Sequence, residues 1–574
     1  MSEMRGGRAV VELLKAEGVR YVFGIVGSTF LDVLDALYDD HSVEYVNVRH
    51  EQAGAFMADG LARVTGLPGV CLVTAGPGAT NVLTGVAAAH VAHSPVVVLV
   101  GGLDSAHYGK DAFQEYDLVS MFRPVTKLAI QITKAQRIPE LLHHAFRTAM
   151  TGRPGPVMVE IPRDVLADEL SAGTSATPAT YRATQPPLPH PDAIREAARV
   201  IQHAQRPLLL VGGGVNRAGA NDVVVRLAER HGIPMITAYG RCDAVPNGHP
   251  LYIGPLGRAG SPEAAAGCRR ADALLVAGSR LGHFTTHFDN RYISADAAIV
   301  QIDIEGRDIG RYYPVAVGIQ ADAREACVAL LDALDREHAC APRGDWRREV
   351  EGLRAQRQTR LAAEANFDTK PMKPQRVYAE LRRALPPGTI VALDAGAAPA
   401  YGYDRVEFSS PRTCLTPLDL GGLGFAFPEA LGAKLGRPES PVLAIHGDGG
   451  FLMNAQELET AVRHRINAVT LVMNNNCWGS EKAYQKHFFG ERYIGCDIGN
   501  PRYDELPASS APKAITSTIL IRSATSSAEH SPPASPRWWR SPSTPTSSPC
   551  PPRQCGADKL CDRPGTLRAP SSAF

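Results

Sequence analysis

Two apolar runs in the last third of the chain each end in a polar turn, and this pairing constrains the fold most. The first run, residues 441–446, ends in Gly447-Asp448-Gly449-Gly450. The second, residues 468–473, ends in three asparagines, of which Asn475 lies 27 positions after Asp448. This spacing leaves room for one crossover helix between parallel strands, because such a connection needs about a dozen or more residues.

Residues 454–463 supply that helix, with Leu458, Ala461 and Val462 on its apolar face and Glu457 and Glu459 expected in solvent. Ligands of open α/β sheets lie beyond the carboxyl ends of the strands, which is where both polar turns fall. Carboxylate and amide oxygens suit Mg²⁺, and glycines let backbone amides approach a diphosphate. Two ordinary turns are the alternative, but the combination favours a metal–diphosphate site.

The pairing resembles the signature of the thiamine diphosphate (ThDP) enzymes, in which GDG is followed by about 25 to 30 residues and NN. The resemblance implies that Asp448, the side chain of Asn475 and the main-chain carbonyl of Cys477 bind Mg²⁺. It also implies coenzyme contacts at a set of glycines, namely Gly396, Gly447, Gly449, Gly450 and Gly479.

The segment Val48-Arg49-His50-Glu51-Gln52-Ala53-Gly54 resembles the activating motif of the same family. That likeness implies that Glu51 is the essential acid/base residue, because a carboxylate bonded to the coenzyme's aminopyrimidine ring promotes the proton transfer that activates the thiazolium ring. A solvated glutamate at a helix start is the alternative for this residue alone.

Further segments resemble the acetolactate synthase branch of the family. Residues 22–27 end a strand at Gly27, and residues 74–81 resemble the TSGPGATN loop, which would bring Pro77 and Asn81 to the coenzyme. Residues 111–115 resemble the DAFQE segment, so that Phe113 and Gln114 are expected near the substrate. A lone GPG is only a turn signal, whereas the series is specific.

Residues 421–428 align with the family's GAMGFGLP segment. The alignment places Leu423 where a bulky apolar side chain holds the two rings of the coenzyme in a bent shape. An ordinary core leucine is the alternative, because leucine is most often buried for packing alone.

Length and charge agree with a large soluble enzyme. The 574 residues correspond to roughly three to four domains. A net charge of +1 gives no electrostatic footprint for nucleic acid or a membrane surface, and no apolar run approaches the about 18 residues that span a bilayer. Eleven scattered cysteines indicate reduced thiols. We therefore expect a cytoplasmic protein without nucleic-acid or membrane partners.

The pattern predicts an α/β protein with three Rossmann-like domains, each with a parallel sheet. Residues 1–168 would bind the pyrimidine end of the coenzyme, residues 192–335 form a central domain, and residues 370–506 bind the diphosphate. Glycine turns follow two strands of the central domain, and acetolactate synthases carry FAD there, although a cofactor-free domain is the alternative. Because Glu51 and Asp448 fall on different domains, the resemblance implies a homodimer or homotetramer.

The resemblance implies decarboxylation of a 2-oxo acid, pyruvate, and transfer of its two-carbon unit to an acceptor. After the asparagines, however, the chain carries Gly479-Ser480-Glu481-Lys482 where acetolactate synthases continue with Gly-Met-Val. This segment resembles sulfoacetaldehyde acetyltransferase, which makes that activity an alternative. A 2-oxo acid decarboxylase and a 2-hydroxyacyl lyase are further alternatives. Lys482 would favour an anionic substrate or be an ordinary solvated lysine.

The sequence changes character at residue 507. Residues 507–574 are rich in Pro, Ser, Thr and Arg without a period, which is typical of a disordered tail. Because tryptophan has a single codon, residues 537–542 can be back-translated so that a shifted frame reads Val-Val-Glu-Ile-Pro, similar to residues 156–162. We interpret the tail as a frameshift product, with a natural disordered extension as the alternative.

A frameshift would remove the final strand and helix of the third domain and leave a sheet edge uncovered. We therefore expect the chain to be poorly soluble or inactive although its motifs are intact, and a non-catalytic relative that still binds ThDP is the alternative class. Sequencing the coding DNA across the Leu506 codon tests the interpretation.

Overall fold

A computed structural model describes residues 3–171, 176–336, 343–370, 372–501, 503 and 519–523, the last segment as backbone only. Its described residues form three parallel sheets and one short antiparallel pair. The predicted α/β class with three parallel sheets is therefore confirmed. No helix in these ranges is both long and apolar enough to cross a membrane.

The first domain holds a six-stranded parallel sheet in the order β3-β2-β4-β5-β7-β6, and β1 pairs with β8 antiparallel. The central strands are buried on both faces, as expected of a sheet with helices on each side. The strands are β1 (Glu3–Arg5), β2 (Tyr21–Gly24), β3 (Glu44–Asn47), β4 (Gly69–Thr74), β5 (Val96–Gly102), β6 (Leu128–Gln131), β7 (Val157–Pro162) and β8 (Glu169–Ser171). The helices are α1 (Gly6–Ala16), α2 (Leu31–Tyr38), α3 (Glu51–Thr65), α4 (Pro77–Ala92), α5 (Leu118–Phe122), α6 (Ile138–Met150), α7 (Arg163–Ala167) and α8 (Pro178–Tyr181).

The second domain has a six-stranded parallel sheet in the order β11-β10-β9-β12-β13-β14. Its strands are β9 (Pro207–Val211), β10 (Met235–Thr237), β11 (Tyr252–Pro255), β12 (Ala273–Ala277), β13 (Ala298–Asp303) and β14 (Val317–Gln320). Its helices are α9 (Pro191–His203), α10 (Gly213–Ala218), α11 (Asn221–His231), α12 (Pro262–Arg270), α13 (His283–Thr286) and α14 (Ala323–Arg336). A long helix, α15 (Gly344–Glu364), leads to the third domain.

The third domain has five parallel strands in the order β16-β15-β17-β18-β19. They are β15 (Ile390–Leu393), β16 (Cys414–Leu415), β17 (Val442–Gly447), β18 (Val469–Asn474) and β19 (Ile519–Ser523). The helices are α16 (Pro374–Ala384), α17 (Ala397–Ala400), α18 (Gly402–Arg405), α19 (Ala426–Gly436), α20 (Asp448–Leu452), α21 (Glu457–Arg463) and α22 (Gly479–Phe488). The predicted parallel pairing of the two runs is confirmed, because β17 and β18 are adjacent and in register.

The tail segment differs from expectation at one place. Strand β19 pairs in parallel with β18, from Thr470 opposite Ile519 to Asn474 opposite Ser523. The edge of β18 is therefore covered by backbone from the tail, and the expected uncovered edge is wrong there. The predicted boundary at residues 506–507 and the rest of the predicted aberrant tail lie outside the described residues.

Helices α3 and α19 join the first and third domains at backbone contact distance. A Cβ added to Gly60 would collide with the carbonyl oxygen of Glu429, and one added to Gly432 would collide with that of Met57. The rings of Phe56 and Phe425 meet edge to face, with centroids 5.4 Å apart. Glycine on both helices is what lets the two backbones approach so closely.

A buried charged cluster lies beside this crossing. The Arg63 guanidinium donates to both carboxylate oxygens of Asp59, at 2.9 and 2.5 Å, and to the carbonyl oxygen of Thr416 at 2.7 Å. Glu429 is fully buried next to them, and burial raises the pKa of its carboxyl well above the ordinary value. A protonated Glu429 leaves Arg63 and Asp59 as a matched ion pair.

Candidate active site

The glutamate half of the site forms at the start of α3. Glu51 is the first residue of this helix and is only 7% exposed. The side-chain amide of Asn81 donates to Glu51 Oε2 at 3.0 Å, and the preceding His50 caps the helix by accepting from the backbone of Gln52. A buried carboxylate with a fixed amide donor is therefore held where the helix begins.

The loop before α4 brings other predicted residues to the same place. Gly76 adopts φ = 62°, and a Cβ there would lie 2.7 Å from Cβ of Gln114. Pro77 begins α4, and a Cβ on Gly78 would stand 3.5 Å from Glu51 Oε1. Thus Glu51, Pro77 and Gln114 lie close to one another at the start of α4.

Two further predicted residues lie at the rim of this half. Gly27 follows β2, and a Cβ there would come within 2.6 Å of Thr74 Cβ, next to the loop before α4. Phe113 is 85% exposed, so a residue expected near the substrate stands at the surface of the single protomer.

The diphosphate half forms where β15 and β17 end. Asp448 begins α20 directly after β17 and is 2% exposed. Beneath it, the carboxylate of Asp394 accepts from the backbone of Gly424 and Phe425 and lies 3.0 Å from His446 Nδ1. A Cβ on Gly450 would lie 2.5 Å from Asp394 Oδ2. Asp394 therefore fixes the turn, a role that sequence reasoning missed although this residue directly follows strand β15.

Three side-chain oxygens converge above this turn on one amide nitrogen. Asn500 Nδ2 lies 2.7 Å from Asp448 Oδ2, 2.9 Å from Asn474 Oδ1 and 3.0 Å from Asn476 Oδ1. Tyr503 donates its hydroxyl to Asn500 Oδ1 at 2.8 Å. An amide NH₂ has only two hydrogens for three acceptors. This donor set of one carboxylate and two amide oxygens is the kind that fits a hard divalent cation.

The predicted ligands Asn475 and Cys477 lie beside this convergence. The Asn475 side-chain oxygen accepts from the backbone of Cys477 at 3.3 Å, whereas the oxygens of its neighbours Asn474 and Asn476 accept from Asn500 Nδ2. The indole of Trp478 packs directly on Gly449. Sequence reasoning did not single out Asn474, Asn476 or Asn500, although the run of three asparagines was a signal.

The remaining predicted coenzyme contacts border the same turn. Leu423 is partly buried, and the next residue, Gly424, accepts from the amide of Asn454 at 2.7 Å. Gly396 precedes α17 with φ = 122°, a conformation suited to glycine. Gly479 begins α22, and a Cβ on Gly447 would meet no atom within 4 Å, so the space beside Gly447 is open.

One expectation from the helix pattern is wrong. Glu457 was expected in solvent but is fully buried, and helix α21 begins at this residue rather than at residue 454. Its carboxylate accepts from the backbone of Arg49 at 3.1 and 3.2 Å and from Thr460 Oγ1 at 2.6 Å. Burial raises the pKa of the Glu457 carboxyl to about 7. Glu457 thus supports the segment that carries Glu51.

Lys482 is engaged as well. Its ammonium group pairs with the Asp497 carboxylate at 2.5 Å, and α22 has no buried residue. The side chain therefore ties α22 to the segment before Asn500.

The two halves remain separate within one protomer. Across the described ranges, no hydrogen bond or ion pair connects the Glu51 side chain with the Asp448 turn.

A further cavity of about 380 Å³ lies at the junction of the three domains, beside the glycine turns that follow β9 and β12. Six arginines line it, namely Arg63, Arg153, Arg217, Arg241, Arg280 and Arg412.

Comparisons with sequence families match all three domains. The family described as "Thiamine pyrophosphate enzyme, N-terminal TPP binding domain" matches residues 4–121. The corresponding central domain matches residues 194–330, and the C-terminal TPP binding domain matches residues 394–528.

Curated relatives match most of the chain. "Probable acetolactate synthase large subunit" of Methanocaldococcus jannaschii is 37% identical over 529 residues, which cover 89% of this chain and 87% of the relative. "Acetolactate synthase isozyme 3 large subunit" of Escherichia coli is 35% identical, with 86% of each chain covered. "Sulfoacetaldehyde acetyltransferase" of Alcaligenes xylosoxydans xylosoxydans is 33% identical, over 88% of this chain and 86% of the relative.

Proposed function

Because the chain belongs to the thiamine diphosphate-dependent enzymes of the acetolactate synthase type, we propose that it uses Mg²⁺ and ThDP to decarboxylate pyruvate and to transfer the two-carbon unit to an acceptor. The observation that carries the proposal is the convergence of the Asp448, Asn474 and Asn476 oxygens at the ends of β17 and β18. The acetyltransferase, decarboxylase and lyase alternatives are not favoured, since most of the similar relatives are acetolactate synthases.

Asp448, Asn475 and the carbonyl of Cys477 are the residues that we propose to hold Mg²⁺. Asn500 Nδ2 now fills the space between the Asp448, Asn474 and Asn476 oxygens, so this amide has to move aside when a cation enters. The Asn475 oxygen has to exchange the Cys477 backbone for the cation. The Gly447–Gly450 turn would receive the diphosphate, since its backbone is open at Gly447 and supported by Asp394 from below. Magnesium and diphosphate would then neutralise each other at this edge.

Bound ThDP would supply the carbon nucleophile and the electron sink for loss of CO₂ from a 2-oxo acid. Glu51 would hold a proton against the aminopyrimidine ring, and Asn81 keeps its carboxylate in one orientation through the 3.0 Å bond. Burial of Glu51 excludes water from this contact. Gln114 would face the substrate, and Leu423 would support the bend between the coenzyme rings.

We propose that two copies of the chain assemble each site, with Glu51 from one protomer and the Asp448 turn from the other. Large apolar side chains are exposed around both halves. Val26 (54%) and Phe113 (85%) stand near the glutamate half, and Leu452 and Met453 (51%) follow the Asp448 turn. Apolar groups clustered at the rim of a site are typical of a protein–protein interface.

The central domain is where a second cofactor, FAD, would bind. The junction cavity adjoins Gly213, Gly214 and Gly278. The pairs Gly212–Gly278 and Gly214–Gly278 pack closely enough to exclude side chains. A bound flavin would give the purified protein a yellow colour that a visible spectrum detects after denaturation. A colourless preparation with full carboligase activity would show that FAD is dispensable.

The test of the proposed function is a turnover assay with pyruvate, Mg²⁺ and ThDP. Acetolactate is detected as acetoin after acid treatment, and acetyl phosphate or free aldehyde would instead identify the transferase or the decarboxylase. Glu51→Gln should lower turnover at least about a hundredfold, the lower range for loss of a general acid/base, while ThDP still binds. Glu12→Gln is the control, because Glu12 is a partly exposed residue of α1 that pairs only with Arg8 and Lys15. Unchanged carboligation by Glu51→Gln would refute the proposal.

A further inference from the structure

A second cavity, of about 300 Å³, lies where helix α15 connects the central and third domains, and we call it the linker cavity. Its walls are α15, the start of β11 with the residues before it, α16 and the end of α18. Among the described residues, none that lines the junction cavity also lines this one. The linker cavity is therefore separate from the junction cavity, and no residue of the candidate active site lines it.

Three arginines in or beside the linker cavity are matched by carboxylates. Arg357 and Arg405 line the cavity, and Arg360 lies about one turn after Arg357 on α15. Each has a carboxylate of its own, in the pairs Arg357–Asp404 at 2.8 Å, Arg360–Glu263 at 2.8 Å and Arg405–Glu364 at 2.6 Å. These charges therefore compensate one another.

Two other arginines of the lining have no carboxylate partner. Arg354 donates from Nε to the carbonyl oxygen of Tyr252 at 3.0 Å, and Arg382 donates from Nη2 to that of Leu361 at 3.1 Å. Within the described ranges neither guanidinium forms an ion pair. Glu407 also lines the cavity, but its side chain is exposed and pairs with no cation in the same ranges. We call Arg354 and Arg382 the unmatched arginines.

The unmatched arginines carry charge in a poorly solvated place. Both are partly buried. Burial and, to a smaller extent, the neighbouring charge of Arg357 lower the pKa of each guanidinium. An arginine nevertheless stays charged at neutral pH. Because a buried charge without a counter-ion is unfavourable, an anion that entered the cavity would be stabilised there.

Capping is the structural role that the two contacts serve. Leu361 is among the last four residues of α15, whose carbonyls have no partner within the helix, and Arg382 satisfies it. Strand β11 is the outermost described strand of its sheet, and Arg354 satisfies the Tyr252 carbonyl there. Each cap uses one of the five N–H donors of a guanidinium. Capping therefore fixes both side chains but leaves their charge and most of their donors for a ligand.

The unmatched arginines are held at separate points of the cavity. Leu361, to which Arg382 is bonded, lies seven residues after Arg354, a distance of about 10 Å along the axis of α15. Apolar residues from three segments also line the cavity, namely Ile253, Leu361 and Val406. A molecule that reaches both guanidinium groups would therefore carry an acidic group at each end and an apolar middle.

We propose that the linker cavity binds a small organic dianion, an aliphatic acid with one carboxylate at Arg354 and the other at Arg382. Guanidinium groups bind carboxylates through paired donors, which gives both affinity and orientation. The volume of about 300 Å³ is at the lower end of the range typical of small-molecule sites, about 300 to 1,000 Å³. Since the walls come from α15 and from two domains, the bound acid would fasten the third domain to the central one.

The test titrates the full chain with adipate, a linear dicarboxylate, by calorimetry without Mg²⁺ or ThDP. Hexanoate has the same length but a single carboxylate, so it should bind at least about tenfold more weakly. Arg354→Ala and Arg382→Ala should each weaken adipate binding by a similar factor, because each removes a charged hydrogen-bond donor. Arg347→Ala is the matched control, since it removes the same charge from an exposed position of α15, where Arg347 pairs with Glu351.

Melting temperatures separate ligand binding from capping. Adipate should raise the melting temperature of the unsubstituted chain and of Arg347→Ala, but not that of Arg382→Ala. Gln358→Glu serves if an alanine variant does not fold. Gln358 lines the cavity, is exposed and makes no side-chain hydrogen bond within the described ranges, so the new negative charge should weaken adipate binding without disturbing the fold.

Three results would each overturn the proposal. They are absence of adipate binding at millimolar concentration, equally tight binding of hexanoate, and adipate binding that Arg354→Ala and Arg382→Ala leave unchanged. None of these measurements depends on turnover of pyruvate, so the proposal stands or falls separately from the proposed function.

Discussion

The buried carboxyl of Glu457 gives the most direct test of how the two coenzyme-binding domains are joined. Its pKa is raised from an ordinary 4.5 to about 7, chiefly because burial disfavours the ionised form. In the unfolded chain the carboxyl loses its proton near the ordinary value. Between these two values the folded protein holds a proton that the unfolded chain has lost, so stability falls as the pH rises through this window. Above about pH 7 the folded protein bears the full free-energy cost of ionising the buried Glu457 carboxyl.

Glu457→Gln removes this penalty while keeping the shape. The glutamine oxygen can accept from the Arg49 backbone, and its amide can donate to Thr460 Oγ1, so that both native contacts have a substitute. The raised pKa corresponds to about 3 kcal/mol of unfolding free energy above neutrality, an upper estimate because the neutral amide bonds less strongly. The variant should therefore match the unsubstituted chain at about pH 4 and exceed its stability by about 2–3 kcal/mol at about pH 8.

The assay is urea denaturation followed by circular dichroism at several pH values, with the transition midpoint compared between variants. Glu459→Gln is the matched control, because Glu459 lies on the same helix, is 41% exposed and pairs only with Arg463 and, more distantly, Arg49. An exposed pair of this kind contributes about 0–1 kcal/mol, so its variant should follow the unsubstituted chain at every pH. If Glu457→Gln gave the same midpoint difference at low and high pH, the assignment of a protonated, buried Glu457 would be refuted.

Three further predictions concern the domain crossing and the cation position. Arg63→Met should destabilise the protein by about 3–5 kcal/mol, measured as a lower urea midpoint, because it leaves Asp59 buried without its partner; an unchanged midpoint would contradict the paired state. Gly432→Val should abolish soluble expression or separate the first and third domains, seen by limited proteolysis, because its Cβ meets the Met57 carbonyl. Gly352→Val on the open face of α15 should change the stability by about 1 kcal/mol or less, because the added side chain meets no neighbour and valine has a higher helix propensity than glycine. Asn500→Ala should lower the melting temperature of the metal-free chain, since no amide then holds the Asp448, Asn474 and Asn476 oxygens together. It should also enlarge the rise in melting temperature that Mg²⁺ with ThDP produces. An equal rise in both proteins would show that Asn500 does not occupy the cation position.

Residues next to strand ends were the ones that sequence reasoning placed well. Asp448 follows β17 and Asn474 ends β18 because a buried apolar run must stop where the chain leaves the sheet, and that boundary is visible in the sequence. Glu51 was also located at a helix start, where the segment match put it. These features depend on local order along the chain.

What the sequence could not reveal depends on contacts between distant segments. Glu457 reads as a solvated helix residue, and only its position against Arg49, which lies in another domain, explains its burial. Asn500 is 52 residues from Asp448 and follows α22 through a segment without a periodic pattern. The six arginines of the junction cavity likewise come from separate segments that adjoin only after folding.

The glycine-mediated crossing of α3 and α19 also fixes the relative position of two residues at the ends of these helices, which in the proposed dimer serve two different coenzyme sites. Glu51 begins α3, and Leu423 lies just before α19. A slip of one helix along the other by a single residue would displace these two side chains by about 1.5 Å, well beyond the roughly 0.5 Å within which a catalytic constellation works. The absence of side chains at Gly60 and Gly432 thus keeps the two helices, and the coenzyme-site residues at their ends, in one register.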